Sequence, residues 1–134
     1  MIYLLDTDIS SYIMKRFSSA LVERVKDFAV RELKVSVITV FELEFGILRS
    51  DRGDSLRRVV RAFLENVEIL PWTTAAAIHT GAIRAELADA GKPIGAYDLQ
   101  IAGHARSLGA TLVTHNRKEF SRVSDLQWED WTTP

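Results

Sequence analysis

Short runs of Val, Ile and Leu alternate with longer helical patterns along this chain, and this alternation constrains its fold more than any other feature. The predicted strands are Ile2–Leu5, Val35–Ile38, Val67–Leu70, Thr111–Thr114 and, from a weaker pattern, Leu126–Trp128. A run that is apolar throughout is typical of a strand covered on both faces. Strands separated by helices are typical of βαβ units. The pattern predicts an α/β fold with a central, mostly parallel sheet of four to five strands.

The segments between the strands carry apolar residues at helical spacing. The predicted helical stretches are Leu21–Phe28, Leu56–Leu64, Thr73–Ala90 and Tyr97–Ser107, and Gly109 marks the end of the last. A further helix, Val40–Leu48, is apolar nearly all round, which indicates burial on more than one side. Either it lies deep in the core, or a protein partner or a second copy of the chain covers its outer face.

Composition excludes several classes of protein. A length of 134 residues fits one domain, taken as residues 1–134. The net charge of -1 gives no overall basic field for nucleic acid, and the lack of cysteine excludes disulfides, thiolate zinc sites and cysteine nucleophiles. Residues 1–5 are too short an apolar run for a signal peptide, and no run approaches the roughly 20 apolar residues of a membrane span. We therefore expect a cytoplasmic protein with no membrane contact.

Acidic and polar side chains follow the ends of the predicted strands. Asp6 follows the first strand, and Glu42 lies one helical turn after the second. Asp98 falls in the first turn of a late helix, while Thr114 and Asn116 end the fourth strand. Ligand sites of parallel sheets lie beyond the carboxyl ends of the strands, so we expect these groups to converge. Converging carboxylates need protons or a cation at neutral pH, and oxygen ligands suit Mg²⁺ or Mn²⁺. This is the chemistry of metal-assisted phosphodiester hydrolysis.

Each of these residues also has an ordinary structural role. Asp6 or Asp8 fits the N-cap of the first helix. Thr39 and Glu42 have the spacing of a capping box, and Asp98 suits the positive end of a helix dipole. Taken singly, each residue favours the structural role; only their expected convergence favours a metal site.

Three other classes of protein are weighed as alternatives: a phosphatase, a phosphorylated receiver domain and a non-catalytic scaffold. A haloacid-dehalogenase-like phosphatase would use Asp6 as nucleophile and Asp8 as acid, but it needs a later acidic pair after another strand, and none follows Thr114 in a suitable setting. A phosphorylated receiver domain would need a Lys after a late strand, and Lys118 lies in a polar turn. The third alternative is a scaffold that binds RNA or protein without cutting.

Four motifs resemble those of PIN domains, in particular the VapC-type toxin ribonucleases of type II toxin–antitoxin pairs. They are "LLDTDISS", "SVITVFELEFGI", "KPIGAYDLQIAGHA" and "TLVTHNRKEFSRV". The resemblance covers nearly the whole chain and keeps the motif order. It implies a three-layer α/β/α fold and a Mg²⁺- or Mn²⁺-dependent endoribonuclease that leaves 3′-hydroxyl and 5′-phosphate ends. It also implies an antitoxin partner and a toxin homodimer, alone or within a larger toxin–antitoxin complex.

The resemblance also implies which residues form the site. The acidic positions of the family fall on Asp6, Glu42 and Asp98. A fourth acidic position of the wider family falls on Asn116, a neutral oxygen ligand. Thr7 and Thr114 are expected to orient carboxylates or water. Asp8 stands where similar proteins usually have Asn. It either adds charge to the site or caps the helix, and we favour the cap.

The remaining candidates concern binding. The segment "RSDRGDSLRRVVR" is rich in arginine, which usually means a solvated helix face. A rim that grips RNA phosphates is the alternative, and its members would be Arg49, Arg52, Arg57, Arg58 and Arg61. Val40–Leu48 and the Leu56–Leu64 stripe are expected to form a groove for an antitoxin peptide. The histidines lack zinc-site spacing, and the tryptophans are expected to pack in the core or at its edge.

Overall fold

A computed structural model describes residues 1–134 and places five short strands at the centre of the molecule. The strands are β1 (Tyr3–Leu5), β2 (Leu33–Ser36), β3 (Glu68–Leu70), β4 (Thr111–Val113) and β5 (Gln127–Glu129). They pair in the order β3-β2-β1-β4-β5, and every pair is parallel. The first strand of the chain is therefore the middle strand of the sheet, where Leu5 lies between Val35 and Val113.

Seven helices cover the two faces of this sheet. They are α1 (Thr7–Lys15), α2 (Ser19–Val25), α3 (Val37–Arg49), α4 (Gly53–Glu65), α5 (Thr74–Asp89), α6 (Ala96–Leu108) and α7 (Arg117–Phe120). Neighbouring residues of a strand point to opposite faces. Accordingly, Leu4 packs in a core cluster with Ile83 and Ile101, while Leu5 packs in another with Ile9 and Leu21. The expected three-layer α/β/α fold is confirmed. No helix is long and apolar enough to cross a membrane.

The boundary between β2 and α3 differs from the prediction. The predicted strand Val35–Ile38 ends at Ser36, and α3 begins at the next residue. The Ser36 hydroxyl caps the helix by accepting a hydrogen bond from the backbone N–H of Ile38 at 3.1 Å. Because the first residues of α3 are β-branched like those of a strand, apolar character alone did not mark this boundary.

The prediction that Asp6 caps the first helix is confirmed, whereas the Asp8 cap and the Thr39–Glu42 capping box are wrong. Asp6 is the extended N-cap residue of α1, because the helix starts directly at the end of β1. Asp8 therefore lies inside the first helical turn, exposed, and does not cap the helix. Thr39 and Glu42 do not form a capping box, because Thr39 is a buried residue inside α3.

Helix α3 is apolar on two sides, but the chain covers only one of them. Leu43 and Ile47 are buried against the rest of the molecule. On the outer face, Phe41, Phe45 and Leu48 are 44%, 62% and 71% exposed. The interpretation of this segment as a deep core helix is therefore wrong. The other interpretation, that a partner covers the outer face, agrees with this exposure.

Helices α5 and α6 approach each other closely at a glycine. A Cβ atom built on Gly103 would lie 1.8 Å from the hydroxyl oxygen of Thr80 and 2.8 Å from its Cα atom. Only a residue without a side chain fits this contact. Since α6 carries Asp98 in its first turn, the contact also helps to set the position of that carboxylate.

The three histidines lie apart and have local partners. The contacts are His79 with Arg106, His104 with Ser36, and His115 with Asp130 and Thr132. Of the tryptophans, Trp131 is buried, and the indole N–H of Trp72 donates to the carbonyl of Gln100. These contacts agree with the packing roles expected for both residue types.

Candidate active site

Asp6 links the central strand to the first helix. Its backbone N–H still bonds to Val113 of β4 at 3.0 Å, and its carbonyl accepts the first helical hydrogen bond, from Ser10. Its side chain accepts a hydrogen bond from the backbone N–H of Ile9 at 2.7 Å. The residue is only 2% exposed. Burial raises the pKa of Asp6 to about 7, although the bonds from Thr114 and Ile9 act in the opposite direction.

Glu42 projects from α3 towards the start of α1. The Thr7 hydroxyl donates to a Glu42 carboxylate oxygen at 2.7 Å and lies 3.0 Å from the Thr39 hydroxyl. Burial raises the pKa of Glu42, the Thr7 bond lowers it, and the charge of Asp8 raises it further. A chain of two hydroxyls therefore fixes the orientation of this half-buried carboxylate.

Asp98 lies in the first turn of α6 and faces the end of β4. The side-chain amide of Asn116 donates towards an Asp98 oxygen at 3.4 Å and to a Glu119 oxygen at 3.0 Å. Burial raises the pKa of Asp98 above its ordinary value, and the hydrogen bond and charge of Glu119 raise it further. Asn116 thus holds two acidic side chains together.

Glu119 is the residue of this site that the sequence analysis missed. The PIN resemblance places the fourth acidic position of the wider family on Asn116, three residues before Glu119. A usable signal was present, because Glu119 is the third residue of the short helix α7, after the N-cap residue Asn116. A Glu at this position commonly reaches back to the start of its helix.

The acidic side chains act on one another electrostatically. Asp8 and Glu42 raise the pKa of Asp6, and Asp6 and Asp8 raise that of Asp98. The acidic side chains therefore converge at this edge of the sheet, as their positions after the strand ends predicted. No three His, Asp or Glu side chains lie in a geometry that would hold a metal ion as they stand.

The chemistry of the donors nevertheless fits a hard divalent cation. The available ligands are carboxylate and amide oxygens, which Mg²⁺ and Mn²⁺ prefer. A cation would favour the ionised carboxylates, which burial and mutual repulsion disfavour. The two threonines stand behind these ligands: Thr7 donates to Glu42, and buried Thr114 bonds to Asp6 and accepts the backbone N–H of Asn116.

Arg57 of α4 is not part of this cluster. Arg57 makes two hydrogen bonds to Glu44, at 2.9 and 3.1 Å. Glu44 and Glu42 are two positions apart, or about 200° around a helix. Arg57 therefore lies on the side of α3 that faces away from the acidic site. A role in RNA binding for the five arginines stays a prediction.

The chain is similar to known proteins over nearly its whole length. The profile of the PIN domain matches residues 3–126. A Shigella flexneri protein described as a tRNA(fMet)-specific endonuclease VapC is 39% identical over 130 residues, covering 97% of this chain and 98% of that protein. Ribonuclease VapC1 of Haemophilus influenzae is 42% identical over 133 residues, with 98% and 99% covered. In the crystal structure of DNA-bound VapBC from Salmonella typhimurium, a chain 40% identical superposes with a TM-score of 0.91, and 98% of each chain is covered.

Proposed function

The chain belongs to the PIN domain family, and we propose that it is a VapC-type toxin, a metal-dependent endoribonuclease that a cognate antitoxin neutralises. The observation that carries this proposal is the gathering of buried and half-buried carboxylates at one sheet edge, with raised pKa values at Asp6, Glu42 and Asp98. Perturbed acidic groups that converge in one place are typical of a catalytic site.

We assign the metal to Asp6, Glu42 and Asp98, with Glu119 and the amide oxygen of Asn116 as further ligands. Mg²⁺ is the expected cation, and Mn²⁺ is expected to substitute for it. A bound divalent cation polarises the phosphodiester and acidifies a bound water. The residues of the chain orient the ligands: the Thr7 and Thr114 hydroxyls hold Glu42 and Asp6, and the Asn116 amide holds Asp98 next to Glu119.

RNA is the proposed substrate, and hydrolysis is expected to leave 3′-hydroxyl and 5′-phosphate ends. The Shigella flexneri relative is described as specific for tRNA(fMet), so initiator tRNA is the first RNA to test. The net charge of -1 means that local cations must supply the affinity for phosphates.

The proposed protein partners are an antitoxin and a second copy of the toxin. The Salmonella typhimurium chain was solved in a VapBC complex, which supports an antitoxin partner for this chain. We propose that the exposed apolar face of α3, which includes Phe45 and Leu48, contributes to these contacts together with exposed Val59 on α4. Exposed apolar patches of this kind commonly mark protein interfaces. The antitoxin is expected to send a basic side chain into the acidic site.

The test combines RNA cleavage with metal binding. The purified toxin is incubated with total RNA and with initiator tRNA, in Mg²⁺, Mn²⁺ or EDTA, and the ends of the products are mapped. Asp98→Asn should abolish cleavage and reduce Mn²⁺ binding in titration calorimetry, whereas Asp89→Asn, on exposed α5 surface, should do neither. Metal-independent cleavage, or full activity of Asp98→Asn, would refute the assignment. Tight RNA binding with no cleavage in any metal would favour the non-catalytic scaffold.

A further inference from the structure

Three aromatic rings contact one another on residues that neighbour the acidic site along the chain. The proposed chemistry does not use them. The rings of Tyr12 and Phe17 are stacked, with centroids 4.4 Å apart and planes inclined by 21°. The His115 ring meets Tyr12 edge-on at 5.9 Å and lies 6.3 Å from Phe17. Despite these contacts, Phe17 is 57% exposed. The cluster therefore presents an open aromatic surface to solvent.

Local structure holds this surface in place. Helix α1 ends in a Schellman motif: Arg16 adopts the left-handed conformation, with φ of 52°, and the backbone N–H of Phe17 bonds to the Tyr12 carbonyl at 2.9 Å. His115 is fixed through its Nδ1 atom, which lies 2.9 Å from Asp130 and 3.0 Å from Thr132. The rings are thus preorganised rather than loosely attached.

The end of the helix explains only part of this arrangement. In a Schellman motif, the residue at the position of Phe17 commonly makes an apolar contact with the residue at the position of Tyr12. An aliphatic side chain would serve that contact equally well. The Schellman motif does not account for the open face of Phe17. Nor does it account for the third ring, which His115 contributes from the end of β4.

The residues of the aromatic surface neighbour those of the acidic site along the chain. His115 lies between Thr114, which bonds to Asp6, and Asn116, which bonds to Asp98. Along α1, Tyr12 lies six residues after Asp6, about 9 Å at a rise of roughly 1.5 Å per residue. This separation corresponds to about two to three nucleotides at the axial rise of roughly 3.4 Å per nucleotide of a stacked strand.

The charges around the rings complement RNA phosphates. Lys15 and Arg16 are exposed and form no salt bridge. The Arg117 side chain is 53% exposed and pairs with Asp130, whose own side chain is only 3% exposed. Aromatic faces beside cationic side chains are how proteins bind single-stranded nucleic acid, because bases stack on the rings while the cations attract the backbone.

We propose that Tyr12, Phe17 and His115 form a stacking platform for one base of the RNA substrate, two or three nucleotides from the bond that is cut, with Lys15 and Arg16 at the adjacent phosphates. This inference rests on the proposed ribonuclease function. The platform makes binding depend on the structure of the RNA, since a base must be unpaired to stack on protein rings.

The test compares two substitutions at Phe17. Phe17→Leu keeps the apolar contact of the helix end but removes the stacking face, and Phe17→Trp keeps both. In single-turnover cleavage of a short RNA that spans the mapped cut, the substrate concentration for half-maximal rate should rise about 5- to 100-fold in Phe17→Leu. The rate at saturation should not change, and Phe17→Trp should resemble the wild type. Equal melting temperatures would show that neither variant is misfolded.

A second substitution, in the RNA, identifies the stacked base. An abasic nucleotide two or three positions from the cut should weaken binding to wild-type protein as much as Phe17→Leu does. Combined with Phe17→Leu, it should have no further effect, because both changes remove the same contact. Additive effects at every position, or an unchanged half-maximal concentration in Phe17→Leu, would overturn the proposal. It would equally fall if Phe17→Leu impaired inhibition by the antitoxin but not RNA binding, because the surface would then belong to the protein partner.

Binding measured without cleavage separates this proposal from the catalytic one. RNA that carries 2-aminopurine at the stacked position should lose fluorescence on binding to the wild type and to Phe17→Trp, but not on binding to Phe17→Leu. If the wild type cut no RNA, the catalytic proposal would fail. The platform could still be tested, because a mixed-sequence RNA that carries 2-aminopurine should lose fluorescence when it binds. Absence of quenching in that RNA would refute the platform independently.

Discussion

Replacement of Asp6 by Asn should make the metal-free protein more stable at neutral pH and abolish RNA cleavage. The wild-type side chain is 2% exposed, and burial raises its pKa from 3.8 to about 7. Asn has nearly the same shape, and its oxygen can still accept the hydrogen bond from Ile9 that caps α1. The substitution therefore removes the cost of a buried charge while it keeps the cap.

The magnitude follows from the size of this pKa change. A rise of roughly three pKa units, at about 1.4 kcal/mol per unit, sets a ceiling of about 4 kcal/mol on the stabilisation. Relaxation of the protein and entry of water reduce such values, so we expect about 2 kcal/mol near pH 8. In a chain of this length, that corresponds to an increase in melting temperature of about 5 to 10 °C.

The dependence on pH provides a stricter test than a single melting temperature. Because the folded-state pKa of Asp6 is above the unfolded value, the folded wild type binds more protons between about pH 4 and pH 7. Its stability should therefore fall as the pH rises through this window, and Asp6→Asn should remove this component of the decrease. Urea unfolding in EDTA at a series of pH values measures both proteins. Asp89→Asn is the matched control, since it removes an exposed carboxylate on α5, away from the acidic site. An Asp6→Asn variant less stable than the wild type at pH 8 would mean that hydrogen bonds to the ionised carboxylate outweigh its burial.

Three further substitutions test the support of the site and the interface. Thr7→Val removes the donor that orients Glu42, and it should lower kcat about tenfold, with little change in KM, in steady-state RNA cleavage; an unchanged kcat would contradict this role. Gly103→Ala should destabilise the protein by about 1–3 kcal/mol in urea unfolding, because its methyl group would overlap Thr80; wild-type stability would show that α5 can move away freely. Phe45→Glu should shift the toxin towards monomer in light scattering and leave its melting temperature nearly unchanged, whereas an unaltered mass would exclude this face from the dimer.

The sequence was sufficient to predict the layers of the fold and most of the acidic cluster. Strands that are apolar throughout and separated by helices indicated a covered parallel sheet, and the placement of Asp6 and Glu42 after such strands indicated a shared edge. The order of the strands was not predictable in this way, because periodicity reports which face of a strand is covered and not which strand lies beside it.

The errors have physical causes that concern individual residues. The run from Val35 to Ile38 has β-branched side chains throughout its apolar part, so it concealed a helix that starts after Ser36. Glu119 was missed because α7 is only four residues long and has no apolar periodicity of its own. The apolar pattern predicts that the first helix begins near Ile9, which makes Asp8 its cap, whereas α1 begins at Thr7. Helix ends are the least certain feature of any prediction from sequence.

The position of β1 in the middle of the sheet also bears on how the chain emerges from the ribosome. This strand is synthesised first, yet it gains its second neighbour only when Val113 of β4 has been made. The acidic side chains of the site are likewise spread along the chain, from Asp6 to Glu119. A nascent chain that stops before α7 therefore has no assembled catalytic edge, and one that stops before β4 leaves one edge of its central strand unpaired. Partial products of translation should be inert towards RNA and prone to degradation, so that toxicity arises only from chains completed nearly to their last strand.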